Sequence, residues 1–111
     1  MELEVTTEST ATVCVVHVVG EVDVYTAPRL KGALAEAVDS GCGLVVVDME
    51  QVGFIDSSGL GVLVGALRRV KEARGEMRLV CGRENVMKIF RITGLDKVFP
   101  MFSTVDQAQE A

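Results

Sequence analysis

The run Asp56-Ser57-Ser58-Gly59-Leu60-Gly61 gathers the residues best suited to chemistry in this sequence. Two adjacent hydroxyls follow a carboxylate. Just beyond them, Leu60, Leu63, Leu67 and Val70 recur at helical spacing. Asp and Ser at such a boundary cap a helix start, because their oxygens accept hydrogen bonds from its unpaired N–H groups. Two glycines in the first turn are harder to place. Each costs up to ~1 kcal/mol in a helix relative to alanine. They imply a close approach to the backbone, by another protein or by the rest of the fold.

Several chemistries do not fit the run. A nucleophile elbow needs Gly-x-Ser-x-Gly, and Ile55 stands where the first glycine is required. A serine nucleophile also needs a base. The one histidine, His17, sits in a Val-rich stretch and reads as a satisfied or solvent-facing strand residue. Gly59-x-Gly61 lacks the lysine and the length of a phosphate loop. No His/Cys/Asp group has metal-ligand spacing, so neither a metal nor a cofactor is expected. Asp48, after Leu44-Val45-Val46-Val47, could be the phosphoaccepting aspartate of a receiver domain. Such a domain also needs a lysine ending a later strand, and none stands near Met77–Cys81. Asp48 therefore reads as a strand-end residue bonded to nearby backbone. What remains is a binding module that offers a hydroxyl, not an enzyme.

The elements that would position this run follow from periodicity. Thr12–Val19 reads as a strand, and Gly20-Glu21-Val22-Asp23 as its end or a turn. Thr26 can cap a helix with Pro28 in its first turn. Ala27, Leu30, Leu34, Ala37 and Val38 mark that helix, and Gly41 and Gly43 follow it. Leu44–Val47 is a continuous apolar run, as in a central strand covered on both faces. The helix after Ser58 carries Arg68 and Glu72 as an i,i+4 pair and stops at Gly75. Met77–Cys81 is the next strand. Glu84–Ile92 is a helix with Val86, Ile89 and Phe90 inward, ended at Gly94. Lys97–Met101 reads as extended and Val105–Glu110 as a short last helix. Strands alternating with helices predict an α/β fold with a mostly parallel sheet. Right-handed crossovers would bring two loops, Glu21–Tyr25 and Asp56–Gly61, to one sheet edge.

Composition narrows the function classes. The chain has 111 residues, of which 49% are hydrophobic, enough for one core without metal or disulfides. A net charge of −5 argues against direct nucleic-acid binding. No apolar stretch approaches the ~20 residues of a membrane span. The acidic start lacks the basic and apolar regions of a secretory signal, so a cytoplasmic location is expected. Cys14, Cys42 and Cys81 are odd in number and widely spaced, which suits a reducing compartment. Cys14 and Cys81 read as free core cysteines.

Gly20-Glu21-Val22-Asp23 with Thr26, then Asp56-Ser57-Ser58-Gly59-Leu60-Gly61-Val62-Leu63, resembles the bacterial anti-sigma factor antagonists, the simplest STAS-domain proteins. Ile89-Phe90-Arg91-Ile92-Thr93-Gly94-Leu95 with Val98-Phe99 is also similar to their third helix and last strand. The likeness runs from about Thr12 to Val105. It implies a single STAS domain over residues 1–111, with a mixed, mostly parallel sheet of about five strands and helices packed on it.

It also implies a partner switch. The unphosphorylated antagonist binds an anti-sigma factor that is itself a serine kinase, and so releases the sigma factor. Phosphorylation ends binding, and a serine phosphatase resets the switch. The resemblance makes Ser57 the phosphoacceptor and places Glu21, Asp23, Asp56, Ser58 and Leu60 at the partner surface. An alternative is a STAS-type module in another regulatory complex. A phosphate at a helix start would meet the positive end of the dipole, so the fold should tolerate it where a partner would not.

Overall fold

The computed structural model describes residues 2–111. The elements are β1 (Leu3–Ser9), β2 (Val13–Val22), α1 (Ala27–Asp39), β3 (Leu44–Ile55), α2 (Ser57–Glu72), β4 (Glu76–Val80), α3 (Glu84–Thr93), a 3-10 turn (Leu95–Lys97), β5 (Met101–Phe102) and α4 (Val105–Glu110). The five strands form one sheet in chain order. β1 is antiparallel to β2, and every later pair is parallel. Each parallel step moves one strand in the same direction. Right-handed crossovers must then put α1, α2 and α3 on the same face.

That face holds the main core. Val16, Val18, Val45 and Val47 meet Leu30 and Leu34 of α1, Leu63 of α2, and Val86 and Phe90 of α3. Phe99 packs edge-on against Phe90, with ring centres 6.4 Å apart. On the opposite face Val15, Val46 and Val80 pack under Ala108 of α4. The Arg78 guanidinium donates to the Ala108 carbonyl at 2.7 Å and ties α4 down. Leu44–Val47 is thus covered on both sides, as its unbroken apolar run predicts.

The structure corrects several local expectations. β1 carries no clear alternation, because only Leu3 is fully buried and Thr6 to Ser9 lie exposed. It pairs through its backbone with β2, and Gly20 lets the two strands approach. Gly20 has φ +125°, and a Cβ there would sit 2.2 Å from the Glu2 carbonyl oxygen. Thr26 occupies the position before α1 but does not cap it with its side chain. Arg68 and Glu72 form no ion pair among the described residues; Arg69 instead reaches Asp39 of α1 at 2.9 Å. Ile89 is only partly buried. Lys97–Met101 is not one extended segment. Gly94 ends α3 with φ +77°, the 3-10 turn follows, and pairing with β4 begins only at Met101.

The cysteines differ most from expectation. Cys14 of β2 and Cys42, in the loop after α1, form a disulfide with Cα atoms 5.8 Å apart. They are 28 residues apart in sequence, so spacing alone does not reveal the pairing, and their bond removes the cysteine argument for a reducing compartment. Cys81 is free and half-buried, and burial pushes its thiol pKa up.

His17 is a strand residue satisfied at one ring nitrogen: Nδ1 is bonded, whereas the buried Nε2 has a carboxylate nearby but no hydrogen bond among the described residues. Its Nδ1 lies 2.7 Å from Asp48 and its Nε2 3.5 Å from Glu8, so it links β1, β2 and β3. Asp48 is not at a strand end, since β3 continues to Ile55. Its other oxygen does bond nearby backbone, accepting from the Glu50 N–H at 3.1 Å. Partial burial would lower the His17 pKa, but the bonds and charges of Asp48 and Glu8 outweigh it and raise the pKa above 6.5. The protonated form therefore favours folding. This stabilisation is complete below about pH 6.5 and fades as pH rises through the folded-state pKa. Denaturant unfolding followed across that window should show stability falling with pH, and His17→Gln should flatten the slope. A wild-type curve without that slope would refute the coupling.

Candidate functional site

Two loops leave the carboxyl ends of β2 and β3 side by side. The Asp56 N–H donates to the Val22 carbonyl at 3.1 Å and joins them. In the first loop the Asp23 carboxylate accepts from the N–H groups of Tyr25 and Thr26, at 2.9 and 3.0 Å. The Thr26 hydroxyl donates to the Glu21 carbonyl at 2.8 Å and accepts from the Asp23 N–H at 2.9 Å. These bonds fold the loop into a rigid turn. The Thr26 N–H, then the Tyr25 N–H and the Thr26 hydroxyl, hold the Asp23 pKa down against the opposing effect of burial.

In the second loop Asp56 is extended, and its carboxylate accepts from the N–H groups of Ser58 and Gly59, at 2.9 and 3.3 Å. It is one of the caps that the residue types at this boundary allow. Ser57 opens α2 and lies exposed, whereas Ser58 is half-buried. The cap alters the expected reception of a phosphate, because Asp56 already takes two N–H groups of the first turn.

The two glycines separate in role. A Cβ on Gly59 would lie 2.6 Å from Val22 Cγ1 and 2.7 Å from Ile55 Cγ1. The rest of the fold therefore demands glycine at 59, to seat α2 against β2 and β3. A Cβ on Gly61 would meet nothing within 4 Å.

The structure brings Glu21, Asp23, Asp56, Ser57 and Ser58 to one edge but does not expose them equally. Leu60, expected at a partner surface, is only 9% exposed and packs into the main core. Its place on the inward stripe of α2 with Leu63 and Leu67 accounts for this. Asp23 is also 9% exposed and bonded within its own turn, so it shapes the loop rather than offering a free charge. Glu21 is partly exposed. The surface has members that periodicity does not single out: Val24 is 60% exposed, Tyr25 89% and Phe54 40%. The signal was available, since Val24-Tyr25 is an apolar pair inside a turn.

Known proteins resemble this chain in sequence and in fold. Residues 4–108 match the STAS domain family. The chain belongs to the STAS family. It is 38% identical over 84 residues to an anti-sigma-B factor antagonist of Listeria monocytogenes, covering 75% of this chain and 73% of that one. It is 37% identical over 83 residues to the anti-sigma-B factor antagonist of Bacillus subtilis, covering 75% of each. The crystal structure of an anti-sigma factor antagonist from Mycobacterium paratuberculosis superposes with a TM-score of 0.90. It is 31% identical and covers 98% of this chain and 92% of its own. The mixed, mostly parallel STAS sheet expected from the resemblance is the one found here. No helix among the described residues is long and apolar enough to cross a membrane.

Proposed function

We propose that this chain is an anti-sigma factor antagonist working as one STAS domain in the cytoplasm. It is a regulatory binding protein that sequesters an anti-sigma factor and so frees a sigma factor. The finer reading is a partner switch. The anti-sigma factor is also a serine kinase, it phosphorylates Ser57, and a serine phosphatase restores the binding form. The observation that carries this reading is the exposed Ser57 hydroxyl at the first position of α2, directly after the Asp56 cap. Ser58, half-buried and next in line, is the less accessible hydroxyl. Exposed apolar side chains on the loops that carry an acceptor serine suit a protein partner, because aromatic anchors bury a large area on binding. Among them Tyr25 has its N–H fixed by Asp23.

The test is incubation of the purified chain with candidate anti-sigma kinases and labelled ATP, followed by mapping of the label. The expected outcome is label on Ser57, complex dissociation as label accumulates, and neither event in Ser57→Ala. Label that persists in Ser57→Ala would move the acceptor to Ser58. Stable binding without label under any kinase would leave a STAS module acting in another regulatory complex and overturn the kinase reading.

A further inference from the structure

α1 and α2 run parallel on the same sheet face, and a groove of about 350 Å³ lies between them. Leu34, Val38, Val62 and Ala66 give it apolar walls. From Ser58 to Arg69 it follows α2 for about 16 Å, at 1.5 Å per residue, so it is long and narrow. Arg69 closes one end through its ion pair with Asp39. Near the other end stands Lys31, which has no ion-pair partner among the described residues. No carboxylate lines the groove, although the chain carries a net charge of −5.

The groove is open because α2 has glycine at 61 and 65, both on its lining. A Cβ at either position would meet nothing within 4 Å. Packing inside the protein therefore does not call for these two glycines, in contrast to Gly59. Their helix penalty has no counterpart in the fold, and their effect is empty space. The volume lies within the range of small-molecule sites, which are mostly apolar with a few polar groups that orient the ligand.

We infer that this groove binds an elongated apolar molecule with one anionic head, a medium-chain carboxylate. The head would pair with Lys31 near the Ser58 end, and the tail would lie over Gly61 and Gly65 toward the Asp39–Arg69 pair. Charge complementarity selects this occupant. A cationic head would face Lys31 and Arg69 with no acid lining the groove to receive it, and a neutral chain would gain nothing from the exposed, solvated Lys31.

The experiment is a two-dimensional NMR titration of the full chain with sodium decanoate below its micelle concentration. The expected result is saturable one-to-one binding, with shifts on both α1 and α2 along the groove. Gly65→Leu should abolish it while the melting temperature holds or rises, because leucine is the better helix former. Lys31→Glu should weaken binding by about tenfold or more, and decanol should bind more weakly than decanoate. Shifts that grow without saturation would overturn the proposal. So would unchanged affinity in folded Gly65→Leu, or equal binding of decanol and decanoate.

Discussion

Ser57→Asp should weaken binding to the partner by more than a hundredfold while leaving the melting temperature within a few degrees of wild type. Both halves follow from where the side chain sits. Ser57 is exposed at the start of α2, so a carboxylate there loses no packing and stays in water. A negative charge at a helix N-terminus is favoured by typically 0.3–1 kcal/mol. Asp56 offsets part of that gain, because it is adjacent, negative, and already accepts the Ser58 and Gly59 N–H groups. The net effect on folding should therefore be small.

In the proposed complex the same charge would be enclosed against the partner. A like charge ~5 Å away at an effective dielectric of ~20 costs about 3 kcal/mol. That is more than a factor of a hundred in affinity. A phosphoserine, with about 1.5 to 2 charges and greater bulk, should act more strongly in the same direction. Titration calorimetry for binding and circular dichroism for melting provide the two readings. A melting temperature lowered by more than ten degrees would mean that the charge breaks the fold, and the switch would then be unfolding. Undiminished binding would remove Ser57 from the interface.

The second large effect concerns the Cys14–Cys42 disulfide. Its loop spans 28 residues. The chain-entropy relation gives about 3.6 kcal/mol for a loop of that length. For a domain of this size, that corresponds to a fall in melting temperature of roughly 15 °C. Reductant should produce this fall, and Cys42→Ser should reproduce it without reductant. Cys81→Ser should leave the response to reductant intact, because Cys81 is the free cysteine. The disulfide joins the start of β2 to the turn that leads from α1 into β3. Its loss should therefore raise amide exchange most at the end of α1 and in the loop after it, which holds Ser40 and Cys42. Alkylation and mass analysis of the oxidised protein provide a direct check. Modification of all three thiols without reductant would show that the bond is absent.

Much of this fold is legible in the sequence, because its strong elements have strong periods. The inward stripe of α2, the unbroken run of β3, and the glycine stops after α2 and α3 each follow from local chemistry. The weak elements are the ones concealed. β1 buries little and is held by backbone pairing, so its side chains carry almost no pattern. β5 has two residues, too few for any period. The site shows the same division. A capped helix start within Asp56–Gly59 is a local fact; Asp56 as the cap and Ser57 as the first helical residue come from the structure. The failure of Thr26 to cap α1 is not, because its hydroxyl is drawn to Glu21 and Asp23 by the turn as a whole.

The sequence by itself determined the α/β class, the capped start of α2 and the presence of a hydroxyl offered at that start. Nearest-neighbour hydrogen bonding and helical spacing are enough to decide those features. Tertiary structure alone decided which neighbours are far apart in the chain yet adjacent in space. It put Gly59 against Val22 and Ile55 and left Gly61 open, two glycines that look alike in sequence. It turned Leu60 into the core and Tyr25 into solvent, joined Cys14 to Cys42, and set His17 beside Asp48. Each of these depends on the packing of α1 and α2 on the sheet or on strand register. Burial and pairing at such distances arise only when the whole sheet is assembled.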